Sequence, residues 1–147
     1  MSQSASTQPA STQPVFVPYL TVSDGRAAIE WYAKVLGTAV VESELYEMDD
    51  GRIGHATLDL GAGTFYLSDP YPEMGVQSPD MLGGSTAAMV VHVADADETY
   101  DRAVAEGAEA QRPVANQHGF RSGWFLDPWG HRWSPTSAEK PDLTPAQ

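Results

Sequence analysis

Cysteine is absent from all 147 residues. That excludes disulfides, thiolate metal ligands and a cysteine nucleophile, and it agrees with a reducing compartment, so the expected location is cytoplasmic. Positive charge is scarce: 8 Lys and Arg stand against 20 Asp and Glu, for a net charge of −12. A surface of that sign repels phosphate backbones and anionic lipid, so neither nucleic acid nor a membrane is an expected partner. It favours solubility, and it would attract a cationic ligand. No apolar run approaches the ~20 residues of a membrane span. The N-terminus shows no basic stretch leading into an apolar one, so no secretory signal is read. A Gly-x-Ser-x-Gly elbow, a phosphate loop and a dinucleotide fingerprint are all missing.

What is present is the composition of one soluble domain, 41% hydrophobic and 19% charged. A chain of this length can bury a core without covalent staples. Residues 1–14 read as a disordered leader, because Ala5-Ser6-Thr7-Gln8-Pro9 is repeated as Ala10-Ser11-Thr12-Gln13-Pro14 with no apolar periodicity to offset its ordering entropy. Residues 138–147, with Pro141 and Pro145, read as a flexible tail.

The domain between them, residues 15–137, says the same thing twice. Val22 and Asp24 recur as Val93 and Asp95, an offset of 71 (93 − 22). Gly37 recurs as Gly107, while Arg52, Gly54 and Gly61 recur as Arg121, Gly123 and Gly130, so the offset drifts to 69 (121 − 52). The first module, 15–69, reads as strand 15–22, a helix capped by Asp24 and stopped by Gly37, and strands 39–46, 53–60 and 64–68. Ala28, Ile29, Tyr32, Val35 and Leu36 give that helix its apolar stripe. Residues 70–86, rich in Pro and Gly, are the expected linker. The second module, 87–137, reads as strand 87–93, a helix capped by Asp95 with Ala96, Tyr100, Ala103 and Val104 on its buried face, and short strands at 109–112, 121–126 and 131–136. Asp127-Pro128-Trp129-Gly130 is the turn between the last two strands. The fold class is α+β, a βαβββ unit used twice. Each helix covers one sheet face, and the other face awaits a partner module, a second chain or a ligand.

Two segments of this pattern resemble a known family. Pro18-Tyr19-Leu20-Thr21-Val22-Ser23-Asp24, followed by Ala28-Ile29-Glu30-Trp31-Tyr32 and Val35-Leu36-Gly37, is similar to the opening of the vicinal oxygen chelate superfamily of glyoxalases, bleomycin-resistance proteins and dioxygenases. Asp127-Pro128-Trp129-Gly130-His131-Arg132-Trp133 is similar to its closing motif. The resemblance implies two βαβββ modules curved into a cup-shaped mixed eight-stranded sheet, in a homodimer. It also implies where a divalent metal would be held. Carried to this sequence, those positions are Val17, Tyr66 (or its neighbour Leu67), Ala88 and Ser134. None is a histidine or a carboxylate, and divalent cations need several N or O donors. No metal or other cofactor is therefore expected. A relocated site built from His55, His92 and a carboxylate is the disfavoured alternative.

Strand alternation extends the implied cup lining. With Val17 inward, Tyr19 and Thr21 follow; with Ala88 inward, Val90 and His92 follow; Arg132 shares the face of Ser134. The candidate ligand-binding set is Tyr19, Thr21, His55, Tyr66, His92, Trp124, Arg132 and Ser134. His118 reads as a solvated loop residue, His131 as part of the closing turn, and Arg52 and Arg121 as anchors of equivalent hairpins. Glu42, Glu44 and Glu47 read as a solvated strand face. The favoured function is metal-free binding of a small aromatic or cationic molecule, for sequestration or resistance. The alternatives are a glyoxalase-like lyase or dioxygenase-type enzyme with relocated metal ligands, and a module that kept only the fold.

Overall fold

A computed structural model describes residues 12–141. Residues 1–11, most of the expected leader, and 142–147 lie outside the described residues. The first module runs β1 (Tyr19–Thr21), α1 (Gly25–Leu36), β2 (Ala39–Val40), β3 (Tyr46–Glu47), β4 (Ile53–Asp59) and β5 (Thr64–Ser68). A short helix, α2 (Pro79–Leu82), follows in the connecting segment. The second module runs β6 (Ala88–His92), α3 (Ala96–Ala105), β7 (Glu109–Gln117), β8 (Phe120–Leu126) and β9 (Arg132–Ala138). The order βαβββ appears twice, as the repeat requires. Within the chain the strands form two separately hydrogen-bonded sheets, β1-β5-β4-β2 with β3 added beside β4, and β6-β9-β8-β7. In each sheet the module's first strand lies parallel to its last.

Both helix starts behave as the capping residues dictate. The Asp24 carboxylate accepts from the Ala27 amide and the Asp95 carboxylate from the Glu98 amide. Gly37, at φ 75°, takes the left-handed conformation that closes α1. The duplication reaches deeper than the caps. The first helical amide of α1, at Gly25, donates to the Asp69 carboxylate just past β5, while its counterpart at Ala96 donates to the Ser137 hydroxyl in β9. Each module's closing strand thus satisfies an orphan donor of its own helix.

The core lies between the modules. Trp31 and Tyr32 are both buried and pack edge-on against each other, Phe65 and Trp129, with Phe125 tilted against Trp31. Aromatic pairs in such geometry add about 0.5–1.5 kcal/mol each beyond the area they bury. The Trp31 indole donates to the Glu106 carbonyl at 2.8 Å, and Arg102 donates to the Val35 carbonyl at 3.1 Å, so the C-terminal halves of the two helices are tied together. In α3 it is Thr99, rather than the expected Val104, that joins the buried face; Val104 is exposed.

Other departures have local causes. The expected strand 39–46 is broken by a 3₁₀ turn at Glu42–Glu44, because adjacent polar residues with low strand propensity have no apolar face to bury there. Glu47 stays exposed, as read, and pairs with Arg26 at 2.9 Å on the surface. Strand β7 runs on past Arg112 to Gln117 through two register shifts, and His118-Gly119, both at positive φ, make the tight turn into β8. The segment expected as a flexible tail is fixed where it begins. Ala138 belongs to β9, and Lys140 bonds Asn116 and pairs with Asp95 and Asp97 at 3.1 Å. The linker is also folded, with a 3₁₀ turn at Pro72–Met74, a bridge between Tyr71 and Val76, and α2.

Candidate functional site

Strand pairing assembles an aromatic cluster on the outward face of the first sheet. Register places Tyr19 of β1 beside Tyr66 of β5, and Tyr66 beside Thr57 of β4. His55 lies two residues from Thr57 on the same strand, hence on the same face, and it pairs with Tyr46 of β3. The rings meet: His55 is 4.7 Å from Tyr66 and 5.3 Å from Tyr19, while Tyr19 and Tyr66 are 5.4 Å apart. Both nitrogens of His55 are engaged, Nδ1 with the Tyr19 hydroxyl at 2.8 Å and Nε2 with the Thr57 hydroxyl at 2.9 Å. The ring is therefore fixed in orientation whichever nitrogen carries the proton.

Above this cluster opens a cavity of about 580 Å³. Its floor is Tyr19, Thr21, Gly54, His55 and Ser68, and its walls are Tyr46, Met48, Tyr71, Met74 and Val76. The Tyr71 wall is held from behind. The Arg52 guanidinium lies 3.9 Å over the Tyr71 ring and bridges to Asp50 at 2.7 Å and Glu73 at 3.0 Å. Arg52 thus anchors its hairpin, as the repeat suggests, and also fastens the connecting segment to it. Its symmetric counterpart Arg121 instead ties its strand β8 to α3, through Asp97 at 2.5 Å.

The cavity is electrically quiet. Burial pushes the His55 pKa below its ordinary value, opposed by the charge of Glu44, so the imidazole is neutral near pH 7. Burial, with the neighbouring Tyr71 and Tyr66, raises the Tyr19 phenol. Among the described residues no carboxylate lines the space. What remains is a bowl of tyrosine faces and methionine side chains with one hydroxyl–imidazole pair, suited to stacking and to one or two hydrogen bonds.

The eight candidates divide into two groups. Tyr19, Thr21 and His55 line the cavity, and Tyr66 packs on two of those rings. His92, Trp124, Arg132 and Ser134 stand on β6, β8 and β9 of the second sheet, and none of them lines this space. There Arg132 stacks over Trp124 at 4.3 Å, His92 meets Phe120 at 6.1 Å, and Ser134 is buried. His118 forms the β7–β8 turn. His131 is structural as expected, its Nε2 within 2.8 Å of the Thr21 carbonyl, which ties the closing turn to β1.

Tyr46, Met48, Tyr71, Met74 and Val76 escape the sequence reading. The signal for three of them is the apolar run Tyr71, Met74 and Val76 inside a segment otherwise marked as linker.

The metal positions offer a poor donor set. Val17 and Ala88 have no donor, Ser134 has a hydroxyl, and Tyr66 is engaged in ring contacts. His55 and His92 stand on different sheets, and among the described residues no three His, Asp or Glu gather in metal-binding geometry. The residues present do not fit a family metal.

Comparison with known proteins agrees with this architecture. The model of the Glyoxalase/Bleomycin resistance protein/Dioxygenase superfamily matches residues 13–134. An uncharacterized protein of Mycobacterium tuberculosis strain H37Rv is 34% identical over 136 residues, 90% of this chain and 79% of its own. The crystal structure of TioX from Micromonospora sp. ML1 superposes with a TM-score of 0.63 at 28% identity, covering 86% of this chain and 98% of its own. The fosfomycin resistance protein FosX from Mesorhizobium loti gives 0.63 at 14% identity, covering 88% and 95%. With its two βαβββ units, its capped helices and its closing turn, the chain belongs to the Glyoxalase/Bleomycin resistance protein/Dioxygenase superfamily.

Proposed function

We propose that this protein binds a flat aromatic small molecule, without a metal, in the cavity over Tyr19, His55 and Tyr66, and that its role is sequestration or resistance. The observation that carries the reading is the lining itself. Tyrosine rings, two methionines and a neutral, hydrogen-bonded histidine surround about 580 Å³ with no carboxylate among them. That volume falls within the roughly 300–1,000 Å³ typical of small-molecule sites. An aromatic guest gains ring stacking, and Met48 and Met74 can adjust to its outline. The Tyr19–His55 pair offers one polar contact to fix its orientation.

The lack of a lining carboxylate favours an uncharged ring system over a cation, although the tyrosine faces would attract a cation as well. The protein acts as a homodimer in this reading. The outward face of β6, with Ala88, Val90 and His92 exposed beside Phe16, is the surface a second copy would cover.

Calorimetric titration with quinoline, indole and N-methylquinolinium tests the proposal. Saturable binding of at least one, weakened about tenfold by Tyr19→Ala, is the expected result. No binding by any of the three, or about one equivalent of Zn, Ni, Fe or Mn in protein purified without chelator, would overturn it.

A further inference from the structure

In a chain with 20 acidic residues against 8 basic ones, most cations are matched to carboxylates: Arg26 to Glu47, Arg52 to Asp50 and Glu73, Arg102 to Glu98, Arg121 to Asp97, Lys34 to Glu106, and Lys140 to Asp95 and Asp97. Arg132 makes no such pair among the described residues. Its guanidinium is nonetheless fixed. One face lies 4.3 Å over the Trp124 ring, and Nε donates to the Gln111 side-chain oxygen at 3.0 Å. Stacked and tethered at Nε, the fork presents its outer Nη edge, the edge that grips a carboxylate with two parallel bonds.

Arg132 and its partner Gln111 also line a separate cavity of about 340 Å³. The walls are Leu126, the Gly130 backbone, Pro79 of α2 and the Gly83-Gly84-Ser85 segment, where two successive glycines leave the slot without side chains. Asp80 also borders it, but its carboxylate is occupied by the hydroxyls of Ser23, at 2.7 Å, and Ser78. Among the described residues Arg132 is the one cation of this lining, and the volume lies at the small end of the ligand-pocket range.

The geometry points to a second ligand site here, for a small carboxylate on a flat or compact apolar body. The carboxylate meets the Nη edge of Arg132, and the apolar body enters the slot between Leu126 and the glycines. The Trp124–Arg132 stack spares the ligand the entropic cost of ordering a free arginine. The site is independent of the tyrosine cavity, since it shares no residue with that lining.

Trp124 is half-buried beneath the cation, whereas Trp31, Trp129 and Trp133 are core residues. Tryptophan fluorescence therefore reports on this site. Titration with benzoate should give a saturable change, and benzamide, which keeps the ring and loses the charge, should bind at least tenfold more weakly. Arg132→Gln should weaken benzoate at least tenfold with the thermal midpoint kept within a few degrees. Arg132→Lys, keeping the charge without the fork, should fall between. Tyr19→Ala should leave benzoate affinity unchanged. Equal responses to benzoate and benzamide, full benzoate affinity in Arg132→Gln, or loss of benzoate binding in Tyr19→Ala alone would each overturn the assignment.

Discussion

Tyr32 on α1 donates its hydroxyl to the carboxylate of Asp127, 95 residues away in the turn that closes the second module. Both groups are buried. The same carboxylate accepts from the Trp133 indole at 2.9 Å and from the backbone amides of Trp129 and His131 at 3.0 Å. One buried acid thus collects four donors, shapes the closing turn and bolts it to the helix of the other module.

Removing that acid should be among the costliest single changes in the chain. Asp127→Ala strands four buried donors and should destabilise by about 3–5 kcal/mol, while Tyr32→Phe, which removes one donor and keeps the ring, should cost about 1–3 kcal/mol. Urea unfolding of both variants and of the double variant checks this. The double variant should fall well short of the sum, because the two changes delete one shared interaction.

The closing turn also fixes the connecting segment. Gly130 has φ 95°, and a Cβ there would lie 3.0 Å from the Pro79 Cβ and 3.3 Å from the Asp80 amide. Gly130→Ala should therefore cost about 1–3 kcal/mol through backbone strain and displacement of α2. The urea midpoint measures it.

His55 should titrate below the ordinary histidine value, because burial disfavours its charged form. With the folded pKa depressed, the unfolded chain takes up the proton first as pH falls. Stability is then lost as pH drops through about 6.5, and the loss levels off below the folded pKa. An NMR titration of the imidazole gives the pKa directly. Between pH 7.5 and 5.5 the wild type should lose more stability than His55→Gln.

Asp97 has the same sign at lower pH, from a different cause. The hydrogen bonds from Arg121 hold its carboxyl down at about pKa 2, with Lys140 assisting. Stability from this pair is present above the unfolded value near 3.9 and is lost as pH falls toward 2. Arg121→Gln should flatten that part of the acid unfolding curve, followed by circular dichroism.

Much of the fold was legible in the sequence because its signals are local. Asp24, Gly37 and Asp95 mark helix ends through their own side chains or dihedrals, and the duplication placed both modules before any contact was known. The break at Glu42–Glu44 and the extension of β7 to Gln117 were not legible, since each depends on what its neighbouring strand leaves to pair with. The site was half legible. Alternation on β1 put Tyr19 and Thr21 on the outward face, but it could not say that the two modules' faces belong to separate sheets. Tyr46 and Tyr71 reach the cavity through a bulge and a folded connector, which no periodicity announces.

On the proposed function, the tyrosine cavity of the first sheet holds the aromatic guest. Met48 and Met74 line that cavity, whereas Met81 and Met89 do not. A methyl-labelled methionine NMR spectrum, recorded while quinoline is titrated in, tests the claim most directly. Saturable shifts of the Met48 and Met74 methyls, with Met81 and Met89 unmoved, are the predicted result. Shifts confined to Met81 or Met89, or no shift at Met48 and Met74 at saturating ligand, would contradict it.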